Sequence, residues 1–185
     1  MSIEDNFDFK KIYKTLGIKK NDKVVLCLSS LKLIFFLKKR SFLNNISLEK
    51  KIELLFCKII DELKLVIGKK GTILIPTYNW DFCKGKIFDY HKSPAGAGSI
   101  GNYALKRKDF KRSRNPIYSF AVNGYDQNKI CNLKHFSCFG LDSPFGYLIK
   151  KGGKNIFIGF DDYRKGFHFP YIAEEKVGVK YRFLK

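Results

Sequence analysis

Apolar residues in this chain follow two rhythms. Short runs with few polar interruptions alternate with stretches in which apolar positions recur every third or fourth residue. The runs DKVVLCL at 22–28, GTILIP at 71–76, YSFAV at 118–122 and KNIFIG at 154–159 predict buried strands, since a strand covered on both faces needs no polar alternation. Between the first two, Ile52, Leu55, Phe56, Ile59, Leu63 and Val66 fall on one helical face. Ser47 stands where an N-cap belongs and Gly68 where a helix stops. Shorter helical patterns cover 98–108 (GSIGNYALKRK) and 143–150 (SPFGYLIK), and Pro170 suits the first turn of one more helix. Strand, helix, strand in this order predicts a parallel crossover. The expected architecture is α/β: a mixed or mostly parallel central sheet flanked by helices, in a single α/β/α domain over 1–185.

One segment has no rhythm. From Thr77 to about Ala97 the chain reads TYNWDFCKGKIFDYHKSPAGA, a connection long enough to call for a function or an anchor. It carries Tyr78, Trp80, Phe82, Phe88 and Tyr90. Aromatic rings in such a loop either pin it to the body of the protein or line a site, and spacing does not separate the two.

Composition narrows the class. A hydrophobic fraction of 45% with 16% aromatics excludes a disordered chain. The formal net charge of +19 points to anionic partners, yet the lysines are scattered through nearly every segment, which generic surface charge also explains. Cys27, Cys57, Cys83, Cys131 and Cys138 are odd in number and lack C-x-x-C spacing, so neither a disulfide framework nor a zinc site is expected, and a reducing cytoplasm is the expected compartment. The most apolar stretch, 24–37, is too short to cross a bilayer and contains Lys32, so no membrane partner is expected.

Candidate chemistry gathers near the C-terminus, in IFIGFDDYRKGFHFPYIAEE. Asp161 and Asp162 follow a strand end, and His168 precedes a helix that bears Glu174 and Glu175. A histidine with a carboxylate partner is the minimal general base, because the carboxylate fixes the tautomer and raises basicity. A half-exposed imidazole beside solvent-facing glutamates has the same spacing. His91 and His135 complete a set of three widely separated histidines without metal-ligand spacing, so no metal is expected. SPAGAGSIG at 93–101 offers backbone N–H groups to an anion but matches neither a P-loop nor the dinucleotide fingerprint. A G-x-S-x-G nucleophile elbow is missing as well.

In order along the chain, several blocks resemble the aminoglycoside 3-N-acetyltransferase (antibiotic N-acetyltransferase) family. Leu28, Ser29, Ser30 and Leu31 are similar to its His-Ser-Ser-Leu segment, with leucine in place of the histidine. Gly71, Thr72, Ile73, Pro76, Thr77 and Tyr78 resemble its Gly-Thr-Leu-x-x-Pro-Thr block, and Ser93, Pro94, Gly98 and Ile100 its Thr-Pro-Ser-x-x-Gly-x-Leu segment. RSRNPIYSFAVNG at 112–124 resembles Arg-Ser-x-His-Pro-x-x-Ser-Phe-Ala-x-x-Gly through Arg112, Ser113, Pro116, Ser119, Phe120, Ala121 and Gly124, with Asn115 replacing the histidine. His135, Gly140, Ser143 and Pro144 follow, then Asp162 six residues before His168.

The resemblance implies acetyl transfer from acetyl-CoA, as co-substrate, to an amine of an aminoglycoside or amino sugar. It implies His168 as the base, Glu174 or Glu175 as its partner, and Asp162 as a contact for the cationic acceptor. Ser29, Ser30 and Leu31 would lie along the cofactor, with Arg112, Ser113 and Phe120 at the cofactor channel. Family members continue past Arg182, so the resemblance also implies a chain without the family's C-terminal portion. Rival expectations are a catalytically impaired CoA-binding remnant and a basic nucleic-acid module; scattered lysines count against the second. The acceptor's identity and any homo-oligomer stay open at this stage.

Overall fold

In the computed structural model, which describes residues 8–38, 46–96 and 99–182, the buried runs send alternate side chains to opposite faces of one sheet. Val24, Leu26 and Leu28 of β1 (Lys23–Leu28) join one apolar cluster, and Val25 and Cys27 join the other. β2 (Thr72–Pro76) and β4 (Phe120–Gly124) divide in the same way. A sheet apolar on both faces needs two covering layers. The first contains α1 (Phe9–Thr15), α3 (Leu48–Ile67) and α4 (Ser99–Lys106). The second contains α5 (Gln127–Cys131), α6 (Pro144–Lys150) and α7 (Pro170–Val177).

With β3 (Lys111–Arg112) and β5 (Lys154–Ile158), the sheet has five strands in the order β3-β4-β2-β1-β5. β1 pairs parallel with both β2 and β5, while β4 runs antiparallel to β2 and β3. The mixed sheet and its flanking helices agree with the expected α/β architecture. The connection into β2 covers one face through α3, and the connection into β5 covers the other through α6. β1 therefore sits where the chain switches faces, and a crevice opens beyond the carboxyl ends of strands at such a point.

Local chemistry explains the boundaries. Ser47 Oγ accepts the Lys50 N–H at 3.3 Å, and Gly68, at φ +67°, donates its N–H to the Lys64 carbonyl at 2.9 Å, so α3 starts and stops where expected. Ser143 caps α6 in the same manner. Gly98, the expected start of α4, lies outside the described residues.

The strand expected at 118–122 begins at Phe120 instead. Asn115 Oδ1 accepts the N–H groups of Ile117 and Tyr118 at 2.9 and 2.7 Å, which turns the chain before the ladder can form. Four elements had no clear rhythm in the sequence: α1, α2 (Ser30–Lys38), α5 and the two-residue β3. α2 was hidden because the apolar run of β1 continues into it with only two serines between. Among the described residues, no helix is long and apolar enough to cross a membrane.

Candidate active site at the carboxyl ends of β1 and β2

The chain leaves β5 through Gly159, whose φ of +74° sets a turn that a Cβ would crowd, 3.2 Å from Lys32 Cβ and 3.4 Å from the Ser29 carbonyl oxygen. The following segment folds back as a short 3-10 turn (Tyr163–Gly166) and brings His168 over the sheet. There it lines a cleft of about 230 Å³ with Leu26, Cys27, Leu28, Tyr78 and Trp80. Tyr78, Tyr118 and Tyr171 meet the imidazole edge-on, at centroid distances of 5.0, 5.7 and 5.7 Å. These rings exclude water, and that burial lowers the His168 pKa below 6.5.

The imidazole's Nδ1 sits 3.0 Å from the Gly166 carbonyl oxygen. A carbonyl only accepts, so Nδ1 carries the proton and Nε2 keeps its lone pair. Of the two carboxylates expected as partners, Glu175 accepts a short hydrogen bond from Ser137 Oγ, whose own carbonyl takes His135 Nδ1 at 2.8 Å. The hydrogen bond at the His168 ring is the one to the Gly166 carbonyl. Nothing in the sequence marks a backbone carbonyl for such a role. Cys27 also lines the cleft, and burial raises its thiol pKa to about 12. At neutral pH it is a protonated wall group.

Asp162 caps the 3-10 turn by accepting the Arg164 N–H at 3.0 Å, and it holds the Arg164 guanidinium bidentately at 2.8 and 2.9 Å. Asp161 pairs with Lys32 at 2.6 Å. Ser29 and Ser30 stand beside the cleft, next to its lining residue Leu28, where β1 gives way to α2. Ser99, at the start of α4, donates its hydroxyl to Ser30 Oγ at 2.6 Å. Two helix starts and the hydroxyls of Ser30 and Ser99 thus converge, and N–H groups at such a place can meet an anion. Leu31 is 70% exposed on the same rim. Next to Ser29, an apolar groove of about 340 Å³ runs between Phe9, Leu33 and Leu55.

Arg112, Ser113 and Phe120 are enclosed. Arg112 is 4% exposed; it donates from Nε to Ser119 Oγ at 3.1 Å, from one terminal nitrogen to the Thr77 carbonyl at 3.1 Å, and from the other to the Ser93 carbonyl. Its guanidinium also lies 4.7 Å over the Phe88 ring. Ser113 Oγ accepts the Phe120 N–H at 2.9 Å, and Phe120 packs behind Tyr78 at 5.5 Å. The polar atoms of this block hold the connection at Thr77 and Ser93 to the sheet and so set the cleft wall from behind. The Arg112 charge was legible in the sequence; that carbonyls would surround it was not.

A family model described as aminoglycoside 3-N-acetyltransferase matches residues 50–183. No curated protein sequence matches the chain. Among solved structures, the fold is similar to AAC-IIIb, solved as a binary complex with CoASH: TM-score 0.61, 17% identity, over 80% of this chain and 57% of that one. It is also similar to sisomicin-bound AAC-VIa: 0.62, 18%, over 82% of this chain and 58% of that one. A third is the YokD protein from Bacillus subtilis: 0.56, 24%, over 76% and 59%. At these identities the likeness shows a shared fold, and this chain spans 57% to 59% of the three neighbours' length.

Proposed function

We propose, for a chain that belongs to the aminoglycoside 3-N-acetyltransferase family, direct transfer of an acetyl group from acetyl-CoA to an amine of an aminoglycoside or amino sugar. One observation carries the reading: a half-buried histidine faces a cleft at the carboxyl ends of β1 and β2 with its Nδ1–H committed to Gly166. Nε2 is then the proton acceptor. Burial keeps the ring neutral at pH 7, the state a base requires.

Acetyl-CoA, when bound, supplies an acyl group on a thioester that an amine attacks. Ser29 and Ser30, with the N–H groups at the start of α2, hold its pyrophosphate, and Leu31 gives an apolar contact along the rim. Nε2 of His168 takes the proton from the acceptor nitrogen as the C–N bond forms; the thioester C–S bond breaks, and CoA leaves as the thiol after gaining a proton. Cys27, with its thiol pKa near 12, stays protonated and takes no acyl group, which favours direct transfer over a covalent intermediate. Asp162 exchanges its Arg164 partner for a cationic acceptor. Glu174 and Glu175, in the second half of α7, add negative charge that favours a polycationic acceptor such as an aminoglycoside. Arg112, Ser113 and Phe120 position the wall that carries Tyr78.

A second reading, CoA binding without turnover, has one observation in its favour: a carbonyl, not a carboxylate, supports the imidazole. A single assay decides between them. The purified chain is incubated with acetyl-CoA and a panel of acceptors, sisomicin and UDP-linked amino sugars included, and products are detected by mass. Acetylated acceptor is expected, reduced about 10²- to 10⁴-fold in His168→Ala. CoA binding without product in the unaltered chain establishes the second reading. Equal turnover in the variant removes His168 from the mechanism.

A further inference from the structure

Beyond the edge of the sheet formed by β3, the 77–96 part of the connection and α5 enclose a pocket of about 550 Å³. Its lining includes Phe88, Tyr90, His91, Lys111, Arg114 and Asn128. No lining residue is acidic. The nearest acid in the loop, Asp89, is turned onto its own backbone, accepting the N–H groups of His91 and Lys92 at 2.8 and 3.0 Å. Lys111 is held toward the pocket by Asn128 Oδ1 at 2.9 Å. Arg114 makes no hydrogen bond or ion pair with the described residues, and it is exposed. A guanidinium beside a lysine with no acid between them leaves an uncompensated positive field.

The pocket's other wall is aromatic and rigid. Tyr90 donates a short hydrogen bond to the Arg112 carbonyl, and His91 packs edge-on against it at 4.8 Å. Phe88 is fixed by the buried Arg112 guanidinium on its face. Cations that donate hydrogen bonds to phosphate oxygens, next to fixed rings on which a planar base can stack, suit one chemical class above others. We propose that this pocket binds a nucleoside phosphate: phosphate on Lys111 and Arg114, base against the Phe88–Tyr90 wall. The inference does not depend on the acetyl-transfer reading. The nucleotide has two natural sources, the nucleotide half of CoA and a nucleotide joined to the acceptor sugar.

The test is calorimetric titration of the intact chain with UMP, AMP, uridine and inorganic phosphate, each alone and again with saturating CoA. Both nucleotides are expected to bind, with uridine and phosphate each weaker by about tenfold or more, since each keeps only one of the two contacts. Arg114→Ala and Lys111→Gln are expected to weaken UMP about tenfold each, with Lys150→Gln, which removes a charge on α6, unchanged. Both altered side chains are exposed, so the fold survives and circular dichroism verifies it. UMP binding that persists under saturating CoA assigns the pocket to a nucleotide-linked acceptor. Displacement by CoA, with CoA itself weakened by Arg114→Ala, assigns it to the cofactor. Absence of nucleotide binding, or binding indifferent to both substitutions, overturns the proposal.

Discussion

Arg112 shows how far the surroundings of a residue decide its meaning. In the sequence it is one of two cations flanking a serine and reads as a group waiting for phosphate. Folded, it serves three acceptors, two of them backbone carbonyls on the connection that carries Tyr78. A lysine has one nitrogen and no planar fork, so it cannot reach all three. Arg112→Lys is therefore expected to cost about 2 kcal/mol or more, read as a lower urea midpoint, because buried carbonyls lose their donors. A variant within about 0.5 kcal/mol of the original would show that the strap is dispensable. His168 carries the prediction that depends on pH. Its pKa lies below 6.5 in the fold, so the neutral base persists to lower pH than an ordinary imidazole allows. The acid limb of kcat/KM is expected below 6.5. In the same window stability falls, since the unfolded chain binds the proton that the buried ring refuses. His168 was legible as a candidate base from residue type and position. The carbonyl that supports it was not, because every residue has one and only the fold says where it points.

At the scale of elements, the sequence marked those whose signals are local. α3 has a cap, a stop and a one-sided apolar face, and its boundaries agree to the residue. α2 and β3 have none of these, and only packing defines them. Gly101 in α4 separates local rules from tertiary ones. By helix propensity, Gly→Ala inside a helix is favourable by about 0.5–1 kcal/mol. Here a Cβ would stand 2.6 Å from the Pro76 carbonyl oxygen and 3.0 Å from Ala95 Cβ, where α4 crosses the end of β2. Gly101→Ala is thus expected to destabilise by about 1–3 kcal/mol in urea unfolding. It is also expected to weaken CoA binding, since the same helix carries Ser99 to Ser30. A stabilised variant would show that α4 moves away freely.

At the scale of the whole molecule, charge and topology have separate consequences. Within the net charge of +19, some cations are paired at the half-exposed surface: Arg107 bridges Asp61 and Asp109, and Lys64 bonds Asp109 at 2.7 Å. Such pairs are silent about ligands. The cations at the β3 edge are different because no acid answers them, and only their placement shows it. What the sequence determined by itself was the α/β class, four of the five strands to within two residues, the principal helix and the family. These rest on short-range signals: apolar rhythm, caps, and motif order along the chain. What the tertiary structure alone decided was the strand order and the crevice at β1, the withdrawal of Arg112, Ser113 and Phe120 into the wall, and the carbonyl at His168 Nδ1. It also decided the gathering of Lys111 and Arg114 with a loop some twenty residues away. Each is a contact between segments distant in sequence, set by which faces must be buried together, and no local pattern encodes it.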